Sequence, residues 1–160
     1  MSVTLRPLTQ DNLPDVFFLE ITDEERNYSQ LGKMEDILEE IFNEIEISPD
    51  RERTVVVIYS DDSVVGFADY GFVPSESAHE ILHFMIDQNH RRRGYGETAL
   101  RLLIAELCTK PNCNRIGLSY MSFNDTGAVE LYEKVGFVEL PTSDASHGAR
   151  FAIYQCREGE

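Results

Sequence analysis

Apolar and polar positions change period several times along the chain, and each change marks an element. Residues 3–7 alternate and predict a short first strand. Thr9 is placed to cap a helix over residues 11–20. In "EDILEEIFNEIEI" the apolar residues Ile37, Leu38, Ile41, Phe42 and Ile45 recur at i, i+1, i+4, i+5 and i+8, an amphipathic helix that Pro49 ends. The period then shortens. "RTVVVIYS", a turn at "DDS" and "VVGFADYGF" predict a hairpin of two β-rich strands, and "HEILHFMID" predicts another after a polar loop at residues 74–77. "LRLLIAELCTK", with the preceding Ala99, places apolar residues at positions 99, 100, 103, 104 and 107, a helix that "PNCN" breaks. "RIGLSYM" is a strand, "NDTGAVELYEKVGF" a capped helix closed by Gly136 just past its end, and "FVEL" and "RFAIYQC" are terminal strands. The order β-α-α-β-β-β-α-β-α-β-β predicts one mixed α/β domain over residues 1–160, a sheet flanked by helices.

Composition narrows the functional classes. The 160 residues suffice for one core, and 42% hydrophobic with 27% charged residues is ordinary for a globular domain. Twenty-nine acidic residues against fourteen Lys and Arg give a formal charge of −15. That balance argues against nucleic-acid binding and is compatible with a cationic ligand. No segment approaches the ~20 apolar residues of a membrane span. The start, "MSVTLRPLTQDNLPDV", lacks a secretory signal. The expectation is a cytoplasmic protein with neither a membrane nor a nucleic-acid partner. Cys108, Cys113 and Cys156 are odd in number, without a CxxC or a His at metal-ligand spacing. They are expected to be free thiols in a reducing compartment, with no metal site.

"NHRRRGYGETAL" changes this picture, because it concentrates cations in an acidic chain, between an expected strand and an expected helix. A helix start offers free backbone N–H groups and a partial positive charge. Glycine lets an anion approach the main chain, and arginine adds forked donors. Strand, Arg91-x-x-Gly94-x-Gly96, helix is therefore a plausible pyrophosphate cradle. A purely structural turn is the competing reading; it leaves cations at the positive end of a helix dipole. Gly94-x-Gly96-x-x-Ala99 also fits a dinucleotide fingerprint, but seven residues separate Ile86 from Gly94 where a tight turn is required, and no ribose-binding acid ends the next strand. A P-loop is excluded, since no G-K-S/T follows.

Arg91-Arg92-Arg93-Gly94-Tyr95-Gly96 resembles motif A of the GNAT N-acetyltransferases, Q/R-x-x-G-x-G/A, which binds the pyrophosphate of acetyl-coenzyme A. "AVELYEKVGF", residues 128–137, resembles motif B, A-x-x-L-Y-x-K-x-G-F. Together the two cover residues 53–140 in the family's element order. The resemblance implies a mixed, mostly antiparallel sheet with helices on both faces. Two parallel strands, residues 81–86 and 115–121, would splay into a V that takes the pantetheine arm. It implies main-chain contacts to the phosphates from Arg91, Arg92, Arg93, Gly94, Tyr95 and Gly96, with the three guanidinium groups as further phosphate ligands. Main-chain groups of Phe84, Met85 and Ile86 would hold the pantetheine and polarise the thioester carbonyl, and Lys134 of motif B joins the coenzyme-binding set. Tyr132 resembles the general acid that protonates the leaving thiolate. Where the family often places an Asn, this chain has Asp125, with Asn124 one residue earlier; either one contacts pantetheine or caps the helix.

A protonated amine must lose a proton before it attacks. Glu80 and His83, beside the expected thioester, are candidate bases, and strict alternation would aim them at opposite faces. Glu20 and Glu24 are weaker options. "FMID" before motif A and "LSY" on the next strand are similar, more narrowly, to bacterial spermine/spermidine (diamine) acetyltransferases. The acids Glu35, Asp36, Glu39, Glu40, Glu44 and Glu46 would suit a polycation, or simply form a solvated helix face. The resemblance thus implies acetyl-CoA as cosubstrate, a small-molecule amine acceptor with a polyamine favoured, and a homodimer. A protein N-terminus or lysine, an aminoglycoside, an amino-acid derivative, or a non-catalytic acyl-CoA-binding module are the alternatives.

Overall fold

Alternating β-rich segments need partners for their backbone and cover for both of their faces. The computed structural model, which describes residues 2–20, 34–91, 93–121, 128–141 and 149–156, supplies both. The strands are β1 (Val3–Pro7), β2 (Thr54–Ser60), β3 (Ser63–Val73), β4 (Ala78–Ile86), β5 (Arg115–Met121), β6 (Val138–Glu139) and β7 (Ala149–Gln155). The helices are α1 (Leu13–Phe17), α2 (Met34–Ile47), α3 (Tyr95–Cys108) and α4 (Ala128–Val135). One sheet forms in the order β1-β2-β3-β4-β5-β7-β6. Every neighbouring pair is antiparallel except β4 and β5, which are parallel.

Successive side chains of β2 divide between the faces. Val55 and Val57 pack with Phe67 of β3 against Val16 of α1 and Leu38 and Ile41 of α2. Val56 turns the other way, into a core of Tyr70, Ile81, Ile116 and the α3 residues Leu100, Leu103 and Leu107. The apolar stripe predicted for α2 is the buried one at Ile37, Leu38 and Ile41, whereas Phe42 sits at its exposed margin.

α1 is shorter than its sequence suggests. In the turn before it, Thr9 and Asn12 bond reciprocally, each main-chain N–H donating to the other's side-chain oxygen. After Phe18 the chain leaves the helix because Glu20 bonds elsewhere. Its N–H donates to Asp87 Oδ1, and its carbonyl accepts from Gln88 N–H.

Two features of β4 position the site. Its pairing with β5 runs only from Ala78↔Arg115 to Ile81↔Leu118, yet β4 continues to Ile86 while β5 follows β7 instead. The parallel strands therefore separate beyond Ile81, the V implied by the resemblance. β4 also carries one extra residue against β3: Asp69 faces His83, but Tyr70 faces Ile81, which leaves Leu82 as a bulge.

That bulge corrects the expectation that Glu80 and His83 face opposite ways. Directly opposed residues share a face, as do residues two apart along a strand. His83 opposes Asp69, Glu80 opposes Gly71, and Asp69 and Gly71 are two apart on β3. Glu80 and His83 thus project from the same face. The thiols also differ from expectation. Cys108, at the end of α3, and Cys156, just past β7, form a disulfide with Cα atoms 5.5 Å apart. A sequence separation of 48 hides that proximity from any local pattern. Cys113 is free and buried.

Candidate active site

The cationic loop lies at the open end of the V. Helix α3 begins inside the glycine motif, at Tyr95, five residues before "LRLLIAELCTK". Gly94 is its N-cap, in a left-handed conformation (φ 81°, ψ 2°) that an L side chain adopts only under strain. Among the described residues, no side chain caps this helix. Its first bond runs from Thr98 N–H to the Gly94 carbonyl, so the N–H groups of Tyr95, Gly96 and Glu97 precede the regular ladder. A Cβ built on Gly94 would meet no atom within 4 Å. Turn, donors ahead of the ladder, dipole and space together are the features an anion cradle requires.

The cradle is braced from within. Arg91 Nε donates to the Ile86 carbonyl at 2.9 Å, folding the loop back onto the end of β4. The Tyr95 ring is buried with Ile58, Ile86 and Ala99. Its hydroxyl bonds Ser60 and then Arg93, which hold its pKa below the ordinary phenol value. What Tyr95 can offer a ligand is therefore its main chain. Lys134 bonds Glu97 at 2.8 Å, joining α4 to the first turn of α3. Lys134, and secondarily Arg101, keep the Glu97 carboxyl below its usual range, so the one acid in that turn is neutralised. Arg92, Asn124, Asp125 and Glu24 lie outside the described residues.

Motif B is a helix-ending device with a tyrosine built into it. Phe137 N–H donates to the Tyr132 carbonyl at 3.0 Å, and Gly136 N–H to the Glu133 carbonyl at 3.1 Å. With Gly136 at φ 114°, this is a Schellman cap, and its accompanying apolar contact is the edge-on pair of the Tyr132 and Phe137 rings, 6.2 Å apart. The spacing Y-x-K-x-G-F thus has a physical reason: the cap fixes the ring that bears the Tyr132 hydroxyl. Tyr132 is 7% exposed.

On the opposite face of the sheet, at the mouth of the V, stand Glu80 and His83. Phe84, Met85 and Ile86 follow on β4, paired with β3 but past the last residue that pairs with β5. His83 Nδ1 lies 2.6 Å from Asp69 Oδ1, and the other Asp69 oxygen accepts from Arg53 Nε at 2.6 Å. Glu44 completes the chain by bonding Arg53 Nη1 at 3.1 Å. Glu80 lies 3.4 Å from Arg51 Nη2. Glu20, considered as a base, instead accepts from the Gln88 and Asn89 side-chain amides. The acids of α2 are exposed, and Glu44 among them has a partner in Arg53.

A groove of about 400 Å³ runs over this face of β4, β5 and β7, where neither α1 nor α2 covers the sheet. Glu76, Glu80 and Arg115 line it with charge, and Gly117, Phe151 and Ile153 form its floor. The size suits a small ligand. Asp69, Arg53, Glu76 and Arg115 were not singled out in the sequence. The one available signal was Asp69 itself, a charge inside the apolar strand "VVGFADYGF", where burial demands a partner.

The model of the acetyltransferase (GNAT) family matches residues 16–137. No curated protein sequence matches the chain. Among solved structures, it is similar to a ribosomal L7/L12 alpha-N-protein acetyltransferase in complex with coenzyme A, at TM-score 0.76 and 11% identity over 96% of this chain and 93% of that one. Spermidine N-acetyltransferase from Vibrio cholerae, in complex with CoA and spermine, gives 0.73 and 19% over 96% and 95%. The aminoglycoside acetyltransferase AAC(6')-Ib, in complex with coenzyme A, gives 0.75 and 17% over 96% and 95%. At these identities the likeness is one of fold, and three kinds of acceptor are represented on it. Among the described residues, no helix is long and apolar enough to cross a membrane.

Proposed function

The chain belongs to the acetyltransferase (GNAT) family and is an acetyl-CoA-dependent acetyltransferase, and from that premise we propose that it acetylates a primary amine by direct attack in a ternary complex, with a polyamine or diamine as the favoured acceptor. The observation that carries this reading is the V itself. β4 runs on without β5 from Ile81 to the cradle, and Glu80, which lines the groove, shares its face of the sheet with His83.

Acetyl-CoA supplies the activated acyl group as a thioester. The main chain of residues 91–96 takes the pyrophosphate, and the open edge of Phe84, Met85 and Ile86 pairs with the pantetheine arm. Glu80, with Glu76, draws a cationic amine along the groove. His83 removes a proton from the attacking nitrogen. A C–N bond forms at the carbonyl carbon as the C–S bond breaks. Tyr132 gives its proton to the departing sulfur. The products are an acetamide and free coenzyme A. General acid and base assistance contributes about 10² to 10⁴-fold for each group.

Two carboxylates in the groove, the exposed acids of α2 and the net charge of −15 all favour a polycation over a neutral acceptor. The test is thiol release from acetyl-CoA across a panel of amines. Spermidine or spermine should exceed lysine peptides, N-terminal peptides and aminoglycosides by roughly tenfold or more in kcat/KM, about 1.4 kcal/mol. A peptide or aminoglycoside at the head of the panel would refute the acceptor assignment. Stabilisation by acetyl-CoA without turnover of any amine would refute catalysis and leave a coenzyme-binding module.

A further inference from the structure

We propose that Asp69 is a positioning residue for this reaction, fixing the His83 imidazole so that Nδ1 carries the hydrogen and Nε2 is the basic nitrogen. The inference rests on the assignment of His83 as the base and goes beyond it, because it names the tautomer and the groups that impose it.

Asp69 is fully buried, whereas the His83 side chain is about 30% exposed. A buried carboxylate needs compensation, and Arg53, itself nearly buried, provides a charge-assisted bond to Oδ2. An ionised carboxylate only accepts hydrogen bonds. The 2.6 Å contact between Oδ1 and His83 Nδ1 therefore places a hydrogen on Nδ1. In the neutral ring the lone pair then belongs to Nε2. Phe67 supports the ring from one side, its centroid 6.4 Å away and its plane within 26°. The pairing is set by register: His83 opposes Asp69 only because Leu82 bulges out of β4. The arrangement leaves no rotamer search before proton abstraction. The step itself moves one proton, from the acceptor nitrogen to His83 Nε2, as the C–N bond forms. Asp69 accepts the Nδ1 hydrogen bond throughout and is not itself protonated.

The first test uses the intact protein. Nitrogen-15 NMR of the imidazoles, assigned with His83→Gln, should show the neutral His83 ring with a protonated Nδ1 and a pyridine-like Nε2. The opposite tautomer would overturn the proposal. The second test is kinetic. Asp69→Asn should lower kcat by roughly tenfold or more with the acetyl-CoA KM unchanged, and should add nothing in a His83→Gln background. If His83→Gln loses rate while Asp69→Asn does not, or the two losses multiply, only the positioning role fails. If His83→Gln keeps full turnover, the base assignment fails, and the proposal with it. Because Asp69→Asn unsettles a buried charge pair, the NMR result decides even where that variant does not fold.

Discussion

Replacing Gly94 by alanine separates a structural turn from a phosphate cradle. The residue sits at φ 81°, where an L side chain costs about 1–2 kcal/mol. No other penalty applies, since the added Cβ would find nothing within 4 Å. In a domain of this size that cost lowers the melting temperature by about 2–8 °C. A turn with no ligand would show this loss and nothing more. A cradle would show a second effect, because relaxing φ re-aims the N–H groups at the start of α3. Acetyl-CoA should then bind at least tenfold more weakly, about 1.4 kcal/mol. The assay is thermal unfolding with and without acetyl-CoA, together with the acetyl-CoA KM. Gly96→Ala is the control with the opposite expectation. Its Cβ would lie 3.4 Å from Leu131 Cδ2 and 3.7 Å from Ile86 Cγ1, ordinary contacts, in a helical residue where alanine gains roughly 0.5–1 kcal/mol. An unchanged ligand-induced increment in Gly94→Ala would refute the cradle, and an undiminished melting temperature would refute the left-handed turn.

Tyr132→Phe retains the ring that packs on Phe137, so it should fold and bind acetyl-CoA as before while kcat falls about 10² to 10⁴-fold; steady-state thiol release measures this, and undiminished turnover removes Tyr132 from proton transfer. Reduction, or Cys156→Ser, opens a loop with a sequence separation of 48 and should cost about 4 kcal/mol on a chain-entropy basis, a melting point roughly 8–16 °C lower. Unfolding curves with and without reductant that superimpose would show that the cross-link does not form in solution.

Elements with a strong local period were legible. "EDILEEIFNEIEI" and "RIGLSYM" gave a helix and a strand whose limits differ from those found by one residue at most. Where a distant partner competes with propensity, the pattern misled. α1 ends early because Glu20 bonds the loop at 87–88, and α3 starts early because the Tyr95 ring is wanted in the core. The local geometry of the two motifs was legible for a related reason. A cradle and a Schellman cap are built from neighbours in sequence, so their spacing carries their geometry. The Cys108–Cys156 bridge and the Arg53–Asp69–His83 chain join residues on different elements, and no window along the sequence contains them.

The orientation of the two candidate bases marks the limit most sharply. Period-two alternation is sound for a regular strand, and on β4 it fails by one residue. Ile81 and Phe84 both pack toward the α3 side, an interval of three that alternation forbids and a bulge at Leu82 permits. Without the bulge, His83 would turn toward the α3 side, away from Asp69. With it, Glu80 and His83 address the same side of the sheet, where one can attract a cation and the other can take its proton. The proposed chemistry thus depends on a break in regularity that composition does not signal. The apolar character of Leu82 fits either register, and only pairing with β3 decides between them.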